Sequence, residues 1–313
     1  MDWPADAGLV LQSTGSWYDV LLPSGRRLSC RARGRLRLKG DRSTNPVAVG
    51  DRVAWAIEDD EAGEGVVTAV LPRKNAITRR AVNLARESHV VAANLDRAFL
   101  VVTLAEPATS TGFVDRFLVT AEAYGVPVTI VFNKCDETPD EALTDWEETY
   151  HAAGYETLRT SALTGDGLDA LRAALAAGGT NMLSGHSGVG KSSLVNRLLP
   201  DLALKTQEVS DVHGKGKHTT TFATMHPLPD GGFVVDTPGI KGFGLVHLER
   251  EHLHHYFPEF FERLPDCKFH NCLHRSEPGC AVHAAVEAGE IGPTRLMNYL
   301  EMYETFEDAN TYR

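Results

Sequence analysis

The sequence predicts a multidomain chain: a small all-β barrel, then an α/β domain built on a parallel sheet, then a small α-helical module. Three observations carry this. At 313 residues the chain exceeds what one ordinary hydrophobic core serves. Short apolar runs broken by turn residues fill its front, whereas from residue 95 strand-like and helix-like stretches alternate. Three of its five cysteines crowd among histidines near the end. Apolar residues at 42% and charged residues at 23% match globular averages, which excludes a disordered, collagenous or coiled-coil chain.

The barrel is expected from runs at Trp17–Leu22, Leu28–Leu38, Asp51–Ile57 and Gly65–Leu71, separated by Gly, Pro, Asn and Asp. This end is basic. Residues 1–90 hold 14 Lys and Arg against 11 Asp and Glu, a balance of +3, while the remainder carries −14 of the net −11. Arg31, Arg33, Arg35 and Arg37 alternate, so one strand face would carry all four, either to follow a phosphate backbone or simply to face water.

In the α/β domain, strands are expected at Leu95–Leu104, Val128–Phe132, Glu156–Thr160, Asn181–Leu183, Phe222–Pro227 and Gly232–Asp236. Helices are expected at Asp115–Tyr124, Asp140–Ala153, Gly167–Ala177 and Lys191–Leu199. Such alternation implies a sheet covered on both faces. Beyond Phe243, His247–Phe261, Val282–Glu290 and Thr294–Phe306 read as helices around a Cys/His knot. The longest clean apolar stretch, Ala98–Ala105, is far below the roughly 20 residues that span a bilayer, so no membrane association is expected.

Gly185-His186-Ser187-Gly188-Val189-Gly190-Lys191-Ser192 fits G-x-x-x-x-G-K-[ST] between a strand and a helix. Glycines let backbone N–H groups turn inward around phosphate oxygens, Lys191 reaches the β and γ phosphates, and Ser192 ligates Mg²⁺. Asn133-Lys134-Cys135-Asp136 follows a strand at its carboxyl end, where α/β sheets bind ligands. A carboxylate at Asp136 accepts from both N1–H and the exocyclic amine of guanine, which selects GTP over ATP. Thr160-Ser161-Ala162 ends the next strand and can offer a backbone N–H to the guanine carbonyl. Asp236-Thr237-Pro238-Gly239 has the D-x-x-G form, in which the aspartate holds Mg²⁺ through water and the glycine N–H faces the γ-phosphate. The loop Gly214–Thr221 can bring Thr219 or Thr220 to the metal.

Together these elements specify a GTPase, in rotated order. Small GTPases generally run phosphate loop, threonine loop, D-x-x-G, N-K-x-D and S-A; here N-K-C-D and T-S-A come first. Because chain termini often lie close together at a domain surface, the same sheet can be built from a circular permutation. The cut leaves D-T-P-G joined directly to the C-terminal module. The knot itself, Cys267-x₄-Cys272-x-His274-x₅-Cys280, offers a closed tetrahedral set for structural zinc, with His270 and His283 as competitors for the fourth place. His247, His252, His254 and His255 are irregularly spaced and are expected on a solvated helix or at an RNA contact.

On these motifs, together with Val49-Gly50-Asp51-Arg52-Val53, Ser193 after the phosphate loop and Lys217-His218-Thr219-Thr220-Thr221, the chain resembles the RsgA (YjeQ) family over nearly its full length. These are circularly permuted GTPases dependent on the small ribosomal subunit. The resemblance implies an RNA-binding OB-fold over 1–90, the GTPase over 91–244 and a zinc-binding helical domain over 245–313. It selects His274 as the fourth zinc ligand and Thr220, with Ser192 and Asp236, for magnesium. Ile240 stands where Ras-like enzymes carry their water-positioning glutamine, so unaided turnover should be slow; the resemblance assigns that task to His218. It further implies a cytoplasmic factor for late maturation of the small subunit, with that subunit, its rRNA and GTP or GDP as partners. Since each module looks complete, a monomer is expected. Two other readings compete: a nucleotide-gated RNA-binding clamp in which hydrolysis is incidental, and a P-loop transferase, which the guanine motif disfavours.

Overall fold

In the computed structural model, residues 3–33, 45–81, 84–199, 223–237 and 248–306 are described. Five strands form the front module: β1 (Gly8–Ser13), β2 (Trp17–Leu21), β3 (Arg27–Ala32), β4 (Arg52–Asp59) and β5 (Glu64–Val70). β1 pairs antiparallel with β2, β2 with β3, β3 runs parallel to β5, β5 pairs antiparallel with β4, and β4 returns to β1. That circuit closes a five-stranded barrel of the OB type. Alternation selects its core: Leu28 and Cys30 of β3 point inward beside Val10, Val20, Val53 and Val67, while Arg27, Ser29 and Arg31 are exposed. Arg31 lies over the Trp17 ring. Arg35 and Arg37 fall outside the described residues.

β6 (Ala76–Ala81) and β7 (Leu84–Ala93) then form an antiparallel hairpin that sequence patterning missed. Arg79, Arg80, Arg86 and Glu87 break its apolar signal. Side-chain amides fasten it at the base: Asn75 donates to Leu95 O and accepts from Leu95 N–H, and Asn94 donates to Gly50 O. The neighbouring Asp51 is fully buried, accepts from Ala48 N–H and pairs with Arg73 at 2.7 Å, so the Val-Gly-Asp run is structural here.

The sheet of the α/β domain has the order β10 (Glu156–Arg159), β9 (Val128–Phe132), β8 (Arg97–Val102), β11 (Thr180–Ser184), β13 (Phe233–Asp236) and β12 (Thr224–Pro227). All are parallel except the edge strand β12. β8 explains the two-sided apolar run. Its Ala98, Leu100 and Val102 pack with α1 (Thr111–Ala123) and α2 (Asp140–Ala152), while Phe99 and Val101 pack with α3 (Leu168–Ala176) and α4 (Lys191–Leu198). The barrel is joined to this domain: Leu9, Leu11 and Val49 share its core, and β1 pairs with β12 through Gln12 and Thr224.

The last module contains α5 (Pro258–Phe261), α6 (Ala281–Glu287) and α7 (Pro293–Glu304). Where a continuous helix over His247–Phe261 is expected, a 3₁₀ segment, Arg250–Tyr256, precedes α5; Pro258 lacks the N–H that would prolong one helix through it. The core of Leu253, Phe257, Phe260, Val282, Leu296, Tyr299 and Met302 also includes Val119 of α1. Beneath that contact Arg295, 1% exposed, donates to Asp115 of α1 at 2.6 Å and to both Glu259 oxygens at 2.7 and 3.1 Å. Asn298 adds a 2.6 Å bond to Asp115. No helix among the described residues is long and apolar enough to cross a membrane.

Candidate nucleotide site and candidate metal centre

Parallel pairing sends the carboxyl ends of β8, β9, β10, β11 and β13 to one edge of the sheet, and the predicted motifs follow four of them. β11 runs into the loop 185–190, which turns on glycines with positive φ at 185, 188 and 190 before α4 begins at Lys191. A side chain is excluded at Gly185, where a Cβ would lie 2.3 Å from Val101 O, and at Gly190, where it would lie 2.3 Å from Asn133 Nδ2. The same approach joins two motifs. Asn133, 1% exposed at the end of β9, donates from Nδ2 to Val189 O at 2.8 Å. Its Oδ1 accepts from Ala162 N–H at 3.2 Å and from Thr160 Oγ1 at 3.3 Å. One side chain thereby ties N-K-C-D to T-S-A and to the glycine loop.

Lys134 adopts a left-handed conformation (φ 61°) and donates from Nζ to Glu106 O at 2.6 Å. Asp136 is exposed at that edge, and Cys135, the variable position of its motif, is held by its N–H to Thr160 O. Ser161 is buried, its Oγ accepting from Leu163 N–H and Thr164 N–H to shape the turn after β10. Lys191, 8% exposed, donates from Nζ to Gly185 O and His186 O at 2.7 and 2.9 Å. Burial brings its ammonium down to about 8, against the pull of Asp236. Asp236 ends β13 and is 4% exposed; burial lifts its carboxyl to about 6, against the effect of Lys191. Ser192 and Ser193 are half-buried in the first turn of α4. A buried acid beside the hydroxyl-bearing first turn of α4 suits a hard divalent cation such as magnesium. His218, Thr219, Thr220, Gly239 and Ile240 lie outside the described residues.

Sequence reasoning missed three further residues at this edge: Glu106, Pro107 and Thr109, in the connection from β8 to α1. Thr109 Oγ1 meets His186 Nε2 at 2.7 Å, and Pro107 packs on Gly188. They belong to no motif; only their place after the central strand could have marked them.

In the last module, Cys267, Cys272, His274 and Cys280 are buried, with ligand atoms all within 4.8 Å of one another. His274 Nδ1 faces Cys280 Sγ at 3.3 Å and Cys267 Sγ at 3.7 Å. Of its two competitors, His283 instead places Nε2 on His274 O. Burial pushes the Cys272 thiol up to about 12 and raises that of Cys280. Burying three such sulfurs together favours a divalent cation that stabilises their thiolates, and three thiolates with one imidazole are a donor set for zinc. One expectation needs correction: His254 is 5% exposed and lies edge-on to His274 at 5.4 Å, so it is not solvated. His252 and His255 are exposed, as expected.

Comparison with known proteins agrees with this geometry. A family model described as RsgA GTPase matches residues 70–246, and one described as RsgA N-terminal domain matches residues 7–67. The small ribosomal subunit biogenesis GTPase RsgA of Bacteroides fragilis is 50% identical over 305 residues, covering 96% of this chain and 97% of the relative. The protein of the same name from Christiangramia forsetii is 48% identical, covering 96% of each. The crystal structure of YjeQ from Thermotoga maritima superposes with a TM-score of 0.75 at 36% identity, covering 96% of this chain and 97% of that one. YloQ, a circularly permuted GTPase, gives 0.69 at 30% identity, covering 95% and 93%.

Proposed function

Because the chain belongs to the RsgA GTPase family, a family of GTP hydrolases, we propose that it hydrolyses GTP as a late maturation factor of the small ribosomal subunit, which stimulates its turnover. The observation that supports the nucleotide reading is the Asn133 bond to Val189 O, which joins the two segments that this reading assigns to the base and to the phosphates. In this reading residues 185–193 cradle the phosphates, Lys191 neutralises the β and γ oxygens, and Asp136 reads guanine, with Ser161 and Ala162 closing its edge. Ser192, Thr220 and Asp236 would hold magnesium, which when bound offsets the charge of the β and γ phosphates. The same reading would direct Gly239 N–H to the γ-phosphate and assign His218 to orient the attacking water. Burial of Cys267, Cys272, His274 and Cys280 supports a structural zinc that these four hold.

The chain divides accordingly into an RNA-binding barrel over 1–90, the permuted GTPase over 91–244 and the zinc module over 245–313. Its partners are GTP or GDP and the small subunit with its rRNA, in the cytoplasm, and it acts as a monomer. The decisive measurement is steady-state GTP turnover with and without purified small subunits. Stimulation that His218→Ala abolishes, with GTP binding retained, is expected. Equal turnover in both conditions would refute a subunit-stimulated enzyme.

A further inference from the structure

The connection Thr103–Ser110, between β8 and α1, touches the nucleotide edge at three points. Thr109 Oγ1 is 2.7 Å from His186 Nε2, Glu106 O accepts from Lys134 Nζ, and Pro107 Cγ would lie 2.8 Å from a Cβ on Gly188. The Phe113 ring adds an edge-on contact to His186 with centroids 5.5 Å apart. Within the connection, Thr103 N–H donates to Thr109 Oγ1 at 3.1 Å, Thr109 N–H returns to Thr103 O at 2.8 Å, and Thr103 Oγ1 donates to Pro107 O at 2.7 Å. Thr109, 5% exposed, is thus held rigidly against the end of the central strand.

Donor and acceptor chemistry gives this contact a direction. His186 Nδ1 lies 3.0 Å from Ser187 O, and a carbonyl only accepts, so Nδ1 carries the hydrogen. Nε2 of the neutral ring then has a lone pair, and the Thr109 hydroxyl donates to it while accepting from Thr103 N–H. A single chain runs from Thr103 N–H through the Thr109 hydroxyl and the His186 ring to Ser187 O. Burial lowers the His186 pKa, which keeps the ring neutral. Ser187 O and Gly188 N–H belong to one planar trans peptide and point in opposite directions, so whatever holds the carbonyl also aims the N–H.

We propose that Thr109 is a positioning residue for binding of the nucleotide phosphates: acting through His186, it fixes the Ser187–Gly188 peptide and so pre-orders the loop for them. This rests on reading residues 185–193 as the phosphate loop. A hydroxyl is required at position 109, and its removal is felt where phosphate binds although Thr109 itself need not touch the nucleotide.

The test compares wild type with Thr109→Val, which removes the hydroxyl and keeps the shape, and Thr109→Ser, which keeps the hydroxyl. Loss of one buried hydrogen bond predicts GDP binding weakened about fivefold in Thr109→Val, with Thr109→Ser within about twofold of wild type. Imidazole ¹⁵N spectra of the wild-type full chain should show His186 protonated on Nδ1 and bare on Nε2, a preference that Thr109→Val loses and Thr109→Ser keeps. Unchanged GDP affinity in Thr109→Val, or a wild-type His186 protonated on Nε2, overturns the proposal; the second measurement needs no variant to fold. Lys191→Ala separates the premise from the inference. If it leaves GDP binding intact, the phosphate-loop reading fails; if it abolishes binding while Thr109→Val does not weaken it, only the role of Thr109 falls.

Discussion

Replacing Arg295 by methionine tests how the C-terminal module is held. The guanidinium is 1% exposed, Asp115 and Glu259 are 0% and 3% exposed, and one cation already serves two acids. Methionine fills much of the volume but leaves both carboxyl groups buried without a counter-charge, a change that costs about 3–5 kcal/mol. An independent bound agrees. If Asp115 escapes by taking up a proton at pH 7, the cost from an unfolded value near 3.9 is about 4 kcal/mol.

Burial already raises the Asp115 pKa, opposed by Arg295, so the substitution raises it further. A carboxyl with a raised folded value favours the fold below its unfolded pKa and loses that advantage as pH climbs. The deficit of Arg295→Met is therefore expected to shrink by roughly 2–3 kcal/mol between pH 7 and pH 5. Urea denaturation of the full chain at both pH values measures it, with Arg295→Met/Asp115→Asn as the partial rescue. A deficit under about 1 kcal/mol at pH 7, or one that does not vary with pH, would refute the idea that Arg295 compensates buried charge.

Asp136→Asn removes an acceptor for two guanine donors and should weaken GDP by at least about 100-fold while improving binding of xanthosine diphosphate, measured by competition with a fluorescent nucleotide. Elemental analysis should find one zinc per chain, and Cys272→Ser should release it and leave residues 248–306 open to protease; a metal-free wild type with an intact module would contradict the assignment. Cys30 is fully buried, and burial pushes its thiol up from 9.0 to about 11, so the protonated form favours the fold. Stability should fall as pH rises from 9 to 11, and Cys30→Val should flatten that decline in thermal melts.

The parts of this molecule that are legible in its sequence are those governed by local rules. β8 and β9 are buried on both faces and therefore read as nearly continuous apolar runs, and residues 185–191 show the glycine and lysine spacing that a phosphate loop requires. The permuted order was visible because each motif carries its own chemistry, whatever its place in the chain. The hairpin of β6 and β7 was not, since its arginines conceal the period of two and the partners of its flanking Asn75 and Asn94, Leu95 O and Gly50 O, are brought to them only by the fold. Arg295 looks like an ordinary helix-surface arginine until Asp115 and Glu259 arrive from elsewhere. His254 reads as solvated in the sequence for the same reason: only the tertiary fold sets it against His274. Nor does composition reveal Thr109, whose importance depends on the tautomer of a ring 77 positions away.

The pairing of Asp115 with Arg295 has a consequence for synthesis. The two are separated by 180 positions. At ordinary elongation rates of 5–20 residues per second, Asp115 of α1 is synthesised about 10–40 s before its partner. Throughout that interval its carboxylate must stay ionised and hydrated on the very face destined for burial. The helix that follows the first sheet strand is thus among the last to be sealed, and the nascent chain cannot finish its core until translation is nearly over.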